Sequence, residues 1–188
     1  MGYQLLAAAA SDPNRLTTGE ETLLRDAVTS NNLVTTSQGL RLTFFTARKT
    51  ETITQLRVNS GGTAAGATPT LVRVGIYLAD ANSDGTLIAS IPNDTTLFAA
   101  INAAYTRTLT APFVKTAGQR YAWGELIVTA AATPTRAGIS IAGVGAAAEP
   151  SQPPRLTGVL AGQSDLPASF TSSALAATGQ RFYGVLLP

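Results

Sequence analysis

Asp80, Asn82, Asp84 and Gly85, in the stretch LADANSDGTL (residues 78–87), have the spacing that opens an EF-hand calcium loop. Oxygen-bearing side chains at alternate positions converge on one point, and the glycine permits the sharp turn that brings them there. Such a loop closes with a bidentate Glu at its twelfth position, which here is Ile91. It also needs flanking helices, whereas these flanks read as strands. Asp84-Gly85 is a hairpin signal in its own right, because both residue types accept positive φ. The stretch is therefore expected to turn the chain, and calcium is not expected to be structural.

Other chemistry is limited by residue type. The chain has no Cys and no His. Thiol and imidazole nucleophiles, a Ser-His triad and the usual zinc sites are thereby removed. A hydrolase would need two carboxylates about 5 to 10 Å apart. Most acidic residues fall at expected turns or in the N-terminal segment, where capping and solvation account for them. GVGAAA (143–148) fits G-x-G-x-x-A after a strand, but a dinucleotide site needs a helix next. Glu149-Pro150-Ser151-Gln152-Pro153-Pro154 cannot form that helix. No catalytic, cofactor-binding or metal-ligating residue is assigned, and the chain is read as a non-enzyme without cofactors. Trp123, Tyr121, Tyr105 and Tyr77 are the rings that could stack on a sugar, and Tyr121 and Trp123, two apart, share one strand face. Their alternation with Ala122 and Gly124 favours a core or interface role.

The charge balance points away from nucleic acid. Net charge is +2, from 13 basic and 11 acidic residues. The Arg residues are scattered singly, whereas a nucleic-acid face would cluster them. They are expected on strand surfaces or in subunit contacts. Charged residues make up 13% of the chain, against about 25% in ordinary soluble domains. A surface poor in charge and rich in Thr, Ser, Ala and Gly suits packing against other copies. MGYQLLAAAASDP lacks a basic n-region and carries only a short apolar run, so it is not read as a secretory signal. No run approaches 18 apolar residues, and membrane insertion is not expected.

The elements that must position these residues are mostly strands. Residues 1–37 stand apart in pattern. Thr18 and Glu21 form a capping signature, and Leu23, Leu24, Ala27 and Val28 follow at helical spacing, which predicts one short helix. From residue 40 the period becomes two. LRLTFFTA, ETITQLRVN, TLVRVGIYLA, GTLIASI, YTRTLTAPFV, QRYAWGELIVTA, AGISIAG and RFYGVLLP read as strands, with Asp94 capping a helical turn at DTTLFAAINAA. GAAAEPSQPPRLTG (145–158) reads as an extended crossing loop or arm. The expected fold is all-β, an antiparallel, jelly-roll-like β-sandwich over 38–188 with a partly helical attachment or oligomerisation arm over 1–37. The sandwich is expected to stand without the arm.

The ordered series VRVGIY, the D-G hairpin, NDTTLFA, YTRTL and GQRYAWGELIV, followed by PRLTGVLAGQSDLPASF and YGVLLP, resembles a β-sandwich domain of virion proteins from phages and prophages of actinobacteria. The similarity covers roughly residues 38 to 188. It implies a non-enzymatic structural protein of the virion, of minor tail, tail-fibre or capsid-decoration type, assembled in the host cytoplasm. It also implies other virion proteins as partners. A homo-oligomer is expected from the low charge, a trimer by preference because fibre and decoration modules are often threefold. The resemblance supplies no functional residues. The other reading is a carbohydrate-binding module for host cell-surface glycans, with Tyr121 and Trp123 as its stacking rings.

Overall fold

The computed structural model describes residues 15–141 and 152–188, which are nearly all strand, turn and loop. The GVGAAA loop and the first part of the proline-rich 145–158 segment lie outside them. In chain order the strands are β1 (Glu20–Glu21), β2 (Ser30–Val34), β3 (Leu40–Thr46), β4 (Glu51–Asn59), β5 (Leu71–Ala79), β6 (Gly85–Ser90) and β7 (Ala104–Lys115). They continue with β8 (Arg120–Val128), β9 (Thr135–Ser140), β10 (Thr157–Leu160), β11 (Ser169–Phe170), β12 (Gln180–Phe182) and β13 (Gly184–Leu187). Every pairing between them is antiparallel. Three sheets result, in the orders β10-β3-β8-β5-β6-β11, β1-β13-β4-β7 and β12-β9-β2.

The six-stranded sheet is the middle layer, and its period-two pattern explains why. On β8, Tyr121, Trp123 and Ile127 point to one face while Ala122 and Leu126 point to the other, and all five are buried. The first face joins Phe45, Val72, Val74 and Ile76 to Ile53, Leu56, Val58 and Leu186 of the four-stranded sheet. This is sandwich packing, with the side chains of two sheets interleaved. The second face carries Leu40, Leu42, Phe44 and Tyr77, and is covered by Leu166, Phe170 and Leu175 from the 161–178 segment. That cover lies close because Gly75 and Gly124 sit opposite each other on β5 and β8. A Cβ on Gly75 would come within 2.9 Å of Leu166, and one on Gly124 within 2.9 Å of Tyr77. β8 is thus apolar on both faces, unlike the usual antiparallel strand with one wet face.

The helix expected from Thr18 to Val28 is absent. Gly19 has φ +82, which breaks a right-handed helix before it starts. Glu20 and Glu21 form β1 and pair with Leu186 and Val185 of the last strand. A short 3₁₀ turn, Arg25–Ala27, is all the helical structure of this segment. The Thr22 hydroxyl donates to the Phe182 carbonyl at 2.8 Å and accepts from the Gly184 amide at 2.9 Å. Tertiary pairing overrides a local capping pattern worth only about 1 kcal/mol. β2 pairs with β9 in the three-stranded sheet, so Glu20–Glu21 and Ser30–Val34 are strands of the same sheets as the rest. Leu23 packs with Tyr183 and Val185 in a third apolar cluster.

Candidate functional site

The D-x-N-x-D-G stretch is the β5–β6 hairpin, with Ala79 opposite Gly85. Asp80 caps the turn: its carboxylate accepts from the Asp84 amide at 2.8 Å, and its carbonyl accepts from the Ser83 amide at 3.1 Å. Ser83 takes the left-handed conformation at φ 70 that the turn requires. The Asp84 carboxylate accepts from the Ser172 amide at 2.6 Å, which fastens the hairpin to the cover segment. Ile91, the twelfth position, is a core side chain. Among the described residues no three acidic groups gather where an ion could sit.

Tyr121 and Trp123 do share a strand face, and that face is the centre of the sandwich. Trp123 is 0% and Tyr121 3% exposed, so neither ring offers a surface to a ligand. Tyr121 stacks on Phe45 with ring centroids 5.9 Å apart, and its hydroxyl accepts from the Thr116 amide at 2.9 Å. Trp123 donates its indole N–H to Glu125 Oε1 at 2.7 Å.

Glu125 belongs to an arrangement that sequence reasoning missed. Arg136 on β9 donates to both its oxygens, Nε to Oε2 at 2.6 Å and Nη2 to Oε1 at 2.7 Å. A third donor, Nη1, reaches the Asn59 carbonyl. The guanidinium lies over the Phe98 ring, 4.2 Å from its centroid. Arg136 is 0% and Glu125 2% exposed. The expectation that the Arg residues sit on surfaces or in subunit contacts therefore fails for Arg136. Nothing in TPTRAGIS marks this arginine as internal. Its burial follows from tertiary placement, since Arg136 bridges Ser60 just beyond the end of β4.

A second buried cluster ties the N-terminal segment to the sandwich. Lys115, at the end of β7, is fully enclosed, with Nζ 3.3 Å from Glu20 Oε2 and 3.6 Å from Glu51 Oε2. It donates to the Lys49 carbonyl at 2.7 Å. Arg48 holds Glu20 from the other side, Nε to Oε1 at 2.6 Å and the backbone amide to Oε2 at 2.9 Å. Burial pushes the Glu51 carboxyl up, but the Lys49 and Gly19 hydrogen bonds, with the Lys49 and Lys115 charges, outweigh it and leave it below the usual range. Glu21 accepts from the Tyr183 hydroxyl at 2.9 Å and pairs with Arg25 at 2.9 Å. Burial first, then Glu21, pushes the Tyr183 phenol well above the ordinary tyrosine range.

These carboxylates are engaged by fixed donors, and that is a structural use of charge. Asp94 and Asp165 follow the same pattern on Arg107 and Arg73. A glycosidase acid must hold a proton near neutral pH, which needs an apolar setting without cationic partners. None of the paired carboxylates has that setting. A cleft of about 310 Å³ lies where the 21–27 turn, β3, β9 and β12 meet, and Arg15, Glu21 and Arg181 line it. Among the described residues no helix is long and apolar enough to cross a membrane. Compared with known proteins, the chain matches no family model, and no curated protein matches it.

Proposed function

We propose that this chain is a structural, non-enzymatic component of a bacteriophage virion, of minor tail, tail-fibre or capsid-decoration type. It works as a homo-oligomer, with a trimer preferred, through a jelly-roll-like sandwich, and it is assembled in the host cytoplasm. The observation that carries the reading is the ordered motif series from VRVGIY through GQRYAWGELIV. It spans β5 to β8, and side chains of β5 and β8 enter both cores.

The use of charge supports the same reading. Few charges are present, and many of them are committed inside the fold. The outer surface is left to Thr, Ala and Ser with apolar side chains among them, such as Val34 at 51%, Ile101 at 54% and Val114 at 59% exposure. Such a surface has little charge repulsion to hold copies apart. The carbohydrate-binding alternative loses the ring pair that suggested it, since Tyr121 and Trp123 are enclosed.

The test is direct. Virions from the cell that carries this sequence are purified, and an affinity-tagged copy is located by labelled negative-stain imaging. Label at one repeated particle location is expected. Absence of the protein from purified particles by mass spectrometry refutes the reading. Light scattering of the purified full chain addresses the oligomer, with a trimer expected.

A further inference from the structure

Charge is divided unequally between the two ends of the sandwich. At one end β2, β4 and β8 finish while β3, β5, β7 and β9 start, as the antiparallel registers require. Asn59 stands opposite Ala104, Leu71 opposite Val128 and Val34 opposite Thr135. Residues 31–40, 58–72, 95–106 and 126–135 build that end, and none of them is charged, in a chain in which 13% are. Four of the charged residues that border these stretches are paired with each other, Asp94 with Arg107 and Glu125 with Arg136. The opposite end carries Arg48, Lys49, Glu51, Asp80, Asp84 and Arg120.

The segments of the neutral end lock one another. The Gly62 amide donates to the Asn31 carbonyl at 2.7 Å, Asn102 to Gly61 at 2.8 Å, Gly66 to Ala132 at 2.9 Å and Ala65 to Phe98 at 3.1 Å. The Asn31 side-chain amide donates to Asn102 Oδ1 at 3.1 Å, and the Thr133 hydroxyl to the Thr35 carbonyl at 2.9 Å. The surface is therefore fixed before anything covers it, and covering it loses little conformational freedom. Ile101 stands out of it at 54% exposure and Val34 at 51%. Such a surface has no charge to compensate a charged group pressed against it, whose desolvation would go unpaired. A well-matched partner is neutral too, and the chain itself offers one, the same end of another copy.

We propose that the neutral end is the surface through which copies of this chain associate, gathered about a common symmetry axis with Ile101 at the contact. The inference rests on the homo-oligomer reading and names its interface. Closed symmetry brings the same patch of every copy to the axis, so a patch without charge meets no like charge there. The charged ends are held away from the axis, in water. Val114 is the contrasting position: it is exposed to 59%, but it lies at the charged end, beside Lys115 and opposite Thr52.

The experiment compares the full chain with I101E and V114E by light scattering and sedimentation over a range of concentrations. I101E brings like charges together at the axis, and its dissociation constant is expected to rise at least about a hundredfold. V114E is expected to assemble as the parent does. An oligomer that survives in I101E overturns the proposed surface and leaves the homo-oligomer reading standing. A parent chain that is monomeric at tens of micromolar overturns both. A second measurement needs no charge in the interface. The chain has no Cys, so I101C and V114C each accept a single nitroxide label. Dipolar distances between copies are expected to be shorter from position 101 than from position 114. The reverse order overturns the proposal even if I101E fails to fold.

Discussion

Substituting Arg136 by Met tests whether the buried pair with Glu125 holds the three-stranded sheet onto the sandwich. Met keeps much of the volume and lets the Phe98 contact persist as an apolar one. The guanidinium supplies two bonds to Glu125, at 2.6 and 2.7 Å, and one to the Asn59 carbonyl. Its removal leaves a carboxylate that is 2% exposed with only the Trp123 indole N–H as a donor. Breaking such a pair from one side costs about 3–5 kcal/mol, because the surviving charge is stranded in a poor solvent. Domains of this size have stabilities of about 5–15 kcal/mol, so about a fifth or more of the total is at stake. At about 2–4 °C per kcal/mol, the melting midpoint should fall by about 6–20 °C. Glu125→Gln should cost a similar amount, by stranding the guanidinium. The double variant R136M/E125L removes both charges and should recover most of the loss, since apolar replacement of a whole buried pair is often neutral. Urea unfolding followed by tryptophan emission reads all three, because Trp123 bonds to Glu125. If both single variants stay within about 1 kcal/mol of the parent, the pair is not a structural tie. If the double variant is as damaged as the sum of the singles, charge stranding is the wrong cause.

Deleting residues 1–37 should abolish cooperative unfolding, because it removes β1 and β2, leaves Lys115 without Glu20 and exposes the Tyr183–Val185 cluster; a soluble fragment with a sharp urea transition would show that this segment is dispensable. Burial pushes the Asp94 carboxyl up, but hydrogen bonds from Thr96 and Arg107, with the Arg107 charge, outweigh it and hold it below the usual range. Its folded pKa lies below its unfolded value of about 3.9, so its contribution is present above that pH and is lost as pH falls through the folded pKa. Asp94→Asn should therefore flatten the loss of stability as pH falls below about 4, and an unchanged acid profile would assign that loss to other carboxylates. Melting with and without EDTA should give the same midpoint, because the Asp80 and Asp84 carboxylates already cap backbone amides at 2.8 and 2.6 Å; a drop of several degrees would show a bound divalent ion.

Where an apolar residue stands two from another, the chain wrote its own structure. TLVRVGIYLA and QRYAWGELIV could form little but strands, and they became β5 and β8. A turn between β5 and β6 was legible in NSDG, but the residue that takes the left-handed conformation is Ser83, and neither Asp84 nor Gly85 does so. The absence of His and Cys narrowed the chemistry before any coordinates. The placement of Tyr121 and Trp123 on one face was legible too, but the burial of that face was not. Alternation says that two faces exist, and it does not say what covers each. The cover comes from Leu166, Phe170 and Leu175, more than 35 residues beyond β8.

Residues 18–28 show the opposite case. Thr18, Glu21 and the apolar spacing favour a helix by about 1 kcal/mol of local energy. Pairing with β13 offers two ladder positions, buried partners for Glu20 and Glu21, and a core site for Leu23. These partners lie up to 162 residues away in sequence, and no local pattern encodes them. The same holds for Arg136 and Lys115, whose neighbourhoods in the chain resemble any surface strand. An ion pair forms wherever folding brings its halves together, so its members carry no periodicity to read. The sequence by itself determined the strand content, the hairpin and the missing chemistries, because each depends on neighbouring residues only. The tertiary structure alone decided which faces are dry and which charges are buried.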